Sequence, residues 1–157
     1  MGSPARLSLP GSTVEDTNSR NVVIRVVPRC GRAVFARRRI SSGEVIERAP
    51  VIVIPKKQWP LVKKTTLEDY AFNWGKNGEQ GVIALGYVSI YNHSYSPNAK
   101  LEELPKELKM EVTALRAIQS GEEITINYHG DPENQEPLWF DVVSSGRRQR
   151  RKKGTQA

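Results

Sequence analysis

Asn92-His93-Ser94-Tyr95-Ser96-Pro97-Asn98 and, beginning 29 residues after Asn92, Gly121-Glu122-Glu123-Ile124-Thr125-Ile126-Asn127-Tyr128 decide how this chain is read. The first segment is turn chemistry: Asn, Ser and Pro bond their own backbone or fix φ. The second opens on a glycine and runs through β-branched residues to a tyrosine, the pattern of a turn feeding a strand. A third segment, Gly31-Arg32-Ala33-Val34-Phe35-Ala36, precedes both.

The frame around them is small. The chain has 157 residues and a mass of 17.6 kDa, enough for one domain with a core of its own. Mean hydropathy is −0.53 and 38% of residues are hydrophobic, which points to polar ends around a compact middle. One cysteine, Cys30, excludes an intramolecular disulfide framework and a zinc site built on cysteines. No apolar run approaches the ~18 residues that span a bilayer, and the start lacks a signal pattern. The sequence therefore reads as soluble and intracellular, with no membrane partner.

The formal charge of +7 is uneven. Residues 146–157 hold Arg147, Arg148, Arg150, Arg151, Lys152 and Lys153 and no acid, so the body without them carries only +1. Residues 144–157 read as a basic disordered tail, whether a solubilising appendage, a nuclear address or a nucleic-acid contact. Residues 1–20, rich in Ser, Gly and Pro, read as a disordered lead.

Between these ends the sequence predicts strands at Val22–Val27, Ala33–Ala36, Glu44–Ile54, Glu111–Leu115 and Glu123–Tyr128, and a strand-like or mixed stretch over Val82–Tyr91. A short helix is expected at Leu67–Trp74 with Thr66 as N-cap, and a loop at Asn92–Asn98. An internal repeat also stands out. Residues 36–46 read ARRRISSGEVI and residues 114–124 read ALRAIQSGEEI, with seven of eleven positions identical. Each copy is an isoleucine anchor, a turn closed at a glycine and an acidic strand start, which suggests two similar hairpin layers packed in one domain.

In order and spacing, the three segments resemble the SET-domain family of protein lysine methyltransferases over residues 21–130, with an insert at about 55–84 and a short post-SET-like echo over 131–143. The resemblance implies a mainly β fold of the β-clip type, with several small sheets, a short helical insert and a pseudoknot near the C-terminal end of the domain. It implies S-adenosylmethionine as cofactor and a lysine in a flexible, histone-like basic tail as substrate. It sets Tyr128 at the reacting centre, where its hydroxyl orients the amine; with a reference pKa of ~10 it is a poor base at neutral pH. Asn92 and His93 match the family's cofactor-binding pair. Gly31-Arg32-Ala33 takes the place of a Gly-x-Gly, and Ala33 is a departure that is tolerable only where φ is negative. Arg32 faces either the cofactor's carboxylate or solvent.

Tyr70 resembles an aromatic that lines the lysine channel; the alternative is the apolar face of a short helix. Trp139 is assigned to the cofactor and Phe140 to the channel as a closing flap, with plain packing as the other reading. Glu102, Glu103, Glu107 and Glu111 either draw a basic peptide or form a solvated face. Small family members can dimerise to complete a site, so a homodimer is among the partner readings. The family implies chromatin in a eukaryote and cytoplasm in a bacterium. The competing class is a non-catalytic β-clip, SAF-like or a degenerate SET fold, that binds a ligand or peptide.

Overall fold

A computed structural model of the chain describes residues 21–28 and 31–138. The assignments for residues 1–20, Trp139, Phe140 and the 144–157 tail lie outside the described residues.

Among the described residues, nine strands form three small sheets. β1 (Val22–Val27) and β2 (Gly31–Ala36) make an antiparallel pair, as their β-branched runs around a Pro-Gly-containing turn predict. A five-stranded antiparallel sheet runs β4 (Ala71–Trp74), β5 (Gln80–Ala84), β3 (Val45–Ile54), β8 (Lys109–Ala114), β7 (Ala99–Leu104). The third sheet is two residues wide: β6 (Asn92–His93) lies parallel to β9 (Thr125–Ile126), with Asn92 opposite Thr125 and His93 opposite Ile126. The apolar core, including Ile40, Ile46, Val82, Val112, Ile118 and Ile126, fills the space between the sheets. This is the mainly β, several-sheet architecture that the motifs imply.

The repeat explains how so small a domain closes. Its two copies do not stack as separate hairpins; they clasp each other. Ile40 and Ile118 exchange both backbone hydrogen bonds, each 2.9 Å. Gly43 N–H donates to the Ala114 carbonyl and Gly121 N–H to that of Ala36, so each turn holds the first residue of the other copy. Ser42 and Ser120 repeat the exchange through their hydroxyls, to the carbonyls of Leu115 and Arg37. Within each copy an arginine pairs with the glutamate six residues on, Arg38 with Glu44 and Arg116 with Glu122. Gly43 and Gly121 both have positive φ, +78° and +82°, which is the reason both copies keep glycine there.

Several local expectations are corrected. Leu67–Trp74 is not one helix. A 3-10 turn covers Thr66–Tyr70, capped by Thr65 rather than Thr66, and Ala71–Trp74 then continues as β4. Trp74 is buried and Asn73 exposed, a period of two that overrides the helical spacing of Leu67, Tyr70, Ala71 and Trp74. The strand expected over Glu123–Tyr128 shrinks to Thr125–Ile126, because Asn127 and Tyr128 turn away to hydrogen-bond 134 and 93 instead. Asn92–His93, expected as loop, pairs with β9. β7 is hidden in the sequence by its charges, as an edge strand facing water on one side can be. A four-residue helix, α1 (Trp59–Val62), escaped notice; it sets the Trp59 ring so close to Gly81 that a Cβ there would lie 2.3 Å from the ring.

Candidate active site

Residues 121–128 lie between β2 and the 92–98 segment. On one flank Ile124 N–H donates to the Val34 carbonyl (2.8 Å) and Ala36 N–H to that of Glu122 (2.9 Å). On the other flank buried Asn98 spans the gap: its amide donates to the Glu123 carbonyl (2.8 Å) and its Oδ1 accepts from Thr125 N–H (2.9 Å). Asn92 Nδ2 reaches the Glu123 carboxylate at 2.8 Å, which leaves the Asn92 carbonyl oxygen with acceptor capacity. The three stretches singled out in the sequence thus meet in one place.

His93 and Tyr128 are coupled directly. Tyr128 N–H donates to His93 Nδ1 at 3.1 Å, and the rings pack edge-on with centroids 5.3 Å apart. Accepting at Nδ1 fixes the tautomer: neutral His93 carries its proton on Nε2. That Nε2 is buried and without a hydrogen-bond partner among the described residues. The Tyr128 hydroxyl donates to the Tyr91 carbonyl at 2.8 Å. Burial, reinforced by the Glu123 carboxylate, pushes its pKa up to about 12. The phenol is therefore neutral at physiological pH, a hydrogen-bond donor rather than a base.

Behind Tyr91 lies a residue that the sequence reading missed. Glu47 is fully buried, and its carboxylate accepts from the Tyr91 hydroxyl (3.0 Å) and from Tyr87 N–H (2.7 Å). Burial raises its pKa from the ordinary value, against the lowering effect of those bonds. The one signal in the sequence was its alternation with Ala49, Val51 and Val53 along β3, which sets Glu47 on their face and Arg48 on the other.

Tyr128 also lines a cavity of about 310 Å³. Phe72, Tyr91, Leu101 and Met110 supply its apolar wall. Glu68, Asp69 and Glu103 also line it, and among the described residues no lysine or arginine does. Of the four glutamates expected near the site, only Glu103 reaches the cavity. Glu102, Glu107 and Glu111 are in ion pairs with Lys100, Lys109 and Arg48. Glu68 and Asp69 come instead from the insert. Tyr70 stands beside this cavity rather than in its lining; its ring faces the Arg32 guanidinium at 5.9 Å, and its carbonyl accepts from the Ser89 hydroxyl.

The residues assigned to the cofactor suit a nucleoside sulfonium with an amino-acid end. Gly31 turns at φ +78° with open space where a Cβ would project, so its backbone is approachable. Arg32 beside it is a cation suited to a carboxylate. Ala33 is buried and is not among the positive-φ residues, so the replacement of the second glycine costs no backbone strain.

His93 makes the site sensitive to acid. Burial, followed by nearby His129, lowers its pKa from the ordinary 6.5. A folded pKa below the unfolded one means that this stabilisation is complete above about pH 6.5 and lost as pH falls through the folded value. Protonated Nδ1 would face the Tyr128 N–H donor to donor. His93→Asn keeps an acceptor at the δ position and cannot titrate. The wild type is expected to lose stability relative to His93→Asn as urea unfolding is repeated at pH values below 6.5. A constant difference across that range would remove His93 from the account.

Comparison with known proteins agrees with this geometry. A sequence profile of the SET domain matches residues 31–129. A histone-lysine N-methyltransferase of Schizosaccharomyces pombe, specific for lysine 37 of H3, is 35% identical over 123 residues, covering 78% of each chain. A crystal structure of a Plasmodium falciparum protein, described as a candidate histone methyltransferase, superposes with a TM-score of 0.57 at 30% identity, covering 69% of this chain and 93% of that one. These matches decide between an enzyme and a non-catalytic β-clip. With its asparagine–histidine bend seated against the strand that leads to Tyr128, this chain belongs to the SET-domain family and is a protein-lysine N-methyltransferase.

Proposed function

We propose that the chain methylates the ε-amine of a lysine in a histone-like basic tail, using S-adenosylmethionine. The observation that carries this reading is the neutral Tyr128 phenol, fixed by Tyr91 and His93, on the wall of a cavity with apolar sides and acidic lining residues. S-adenosylmethionine, when bound, supplies a methyl already activated by sulfonium charge. Gly31, Arg32, Asn92 and His93 would hold it, Arg32 through its carboxylate and the Asn92 carbonyl oxygen through a donor.

The chain's own residues do the rest. Phe72, Tyr91, Leu101 and Met110 strip water from the incoming side chain. A lysine in water has a pKa of ~10.4, and an apolar channel lowers it, which favours the neutral amine that can react. Tyr128 is protonated and so cannot take that proton; it orients the amine, and the proton leaves to water. Glu68, Asp69 and Glu103 attract the basic residues that flank the target lysine. The names of the relatives support a histone as substrate, and with it a place at chromatin.

The test is methyl incorporation from labelled S-adenosylmethionine into core histones, with the modified residue read by mass spectrometry. Label in lysine is expected. Binding of the cofactor without transfer to any histone would sink the histone reading.

A further inference from the structure

We propose that the chain methylates its own basic segment, at Lys152 or Lys153, in the same cavity. This rests on the reading of the cavity as a lysine channel and adds an occupant that is covalently at hand.

Three observations converge on it. First, the described lining of the cavity is acidic and holds no cation. Glu68, Asp69 and Glu103 line it, and among the described residues none of the three forms an ion pair; Glu103 accepts only from Gly75 N–H, at 3.3 Å. Second, the complementary charge is in this chain. Residues 146–157 carry six lysines and arginines and no acid, with Lys152 and Lys153 adjacent at the end of the run.

Third, the chain leaves the described fold beside the site. Leu138 N–H donates to the Tyr95 hydroxyl (3.2 Å), and the Tyr95 ring packs on His93, which in turn contacts Tyr128. Two residues earlier the Glu136 carbonyl meets the ring of His129, itself a lining residue of the cavity. From Leu138 to Lys152 the contour is up to about 46 Å, at ~3.3 Å per residue. The radius of gyration of a domain this size is only ~14 Å. The reach is therefore ample, and a tethered lysine meets the cavity at an effective concentration in the millimolar range.

The step balances. The lysine ammonium first gives a proton to water. Its nitrogen then forms a bond to the sulfonium methyl as the carbon–sulfur bond breaks, and that electron pair stays on sulfur. The products are N-methyl-lysine and the neutral thioether, with nothing oxidised or reduced.

Two measurements on the full chain test this. In the first, the purified protein is joined by a zero-length carbodiimide, without cofactor, and digested. Expected are low-salt crosslinks from Lys152 or Lys153 to Glu68, Asp69 or Glu103, lost at high salt. In the second, the protein is incubated with labelled S-adenosylmethionine alone. Label is expected on Lys152 or Lys153, absent from the Lys152→Arg/Lys153→Arg variant, with a first-order rate unchanged on about tenfold dilution.

Label that persists in the double variant, or a rate that falls with dilution, overturns the intramolecular assignment. So does an unlabelled tail in a protein that labels histone H3, and tail binding to duplex DNA in that case would reassign the segment. Failure to label either the tail or any histone would instead remove the methyl-transfer reading itself, and this proposal with it.

Discussion

Tyr128→Phe is expected to lower methyl transfer about 100-fold or more while leaving cofactor affinity near the wild-type value. The hydroxyl is anchored on the Tyr91 carbonyl at 2.8 Å, and the backbone of the same residue is held by His93. In the proposed reaction both restraints set where the amine sits, and small displacements from a reactive geometry cost on the order of 100-fold in rate. Phenylalanine keeps the ring and its packing on His93 and removes only the donor. The loss should fall on kcat, and stability should drop by only about 1 kcal/mol, the net worth of one hydrogen bond. The phenol's pKa of about 12 adds a second expectation. No ionisation of Tyr128 should appear in the pH–rate profile between pH 6 and pH 10. A variant that turns over at the wild-type rate would take Tyr128 out of the reaction.

Glu47→Ala should be the most destabilising single substitution near the site. It strands the Tyr87 N–H and the Tyr91 hydroxyl inside the protein. Each buried donor left without an acceptor costs about 1–3 kcal/mol. An aggregate loss of about 3 kcal/mol or more corresponds to a fall of roughly 10 °C in Tm. Activity should suffer as well, since Tyr91 also presents the carbonyl that receives Tyr128.

Glu47→Gln separates charge from shape. Burial raises the folded pKa of Glu47 above its unfolded value. Its stabilisation is then fully present below the unfolded pKa of ~4.3 and is lost as pH rises through the folded value. The glutamine, uncharged throughout, has no such term. Relative to Glu47→Gln, the wild type should lose stability as pH rises through that window, read by thermal melts at a series of pH values. A difference that stays level would mean that Glu47 ionises as easily folded as unfolded.

What the sequence disclosed depended on whether the determining interaction was local. The turns at Gly43 and Gly121 were legible because a positive φ is a property of one residue and its neighbours. β1 was legible for the same reason, as an uninterrupted β-branched run. β4 was not: Leu67–Trp74 satisfies a helical spacing, and only pairing with β5 selects the extended form for its second half. Likewise the acids that line the cavity came partly from the wrong segment. Nothing local distinguishes Glu103, free of ion pairs among the described residues, from Glu102 beside it, which Lys100 neutralises.

From sequence alone followed the chemistry of the site: an asparagine–histidine bend, a glycine corner and a strand leading to a tyrosine, in the order of the SET family. The tertiary structure decided what holds that tyrosine. β3 alternates until a bulge between Val45 and Glu47 shifts its register against β8, so that Ile46 and Glu47 both face inward. Without that extra residue the period of two would turn Ile46 out of the core; Glu47 keeps the inward face of Ala49, and it meets Tyr87 and Tyr91 only because residues 40 and 44 positions further on fold against it. A bulge arises from how two strands fit against one core, and no residue of β3 carries that information by itself.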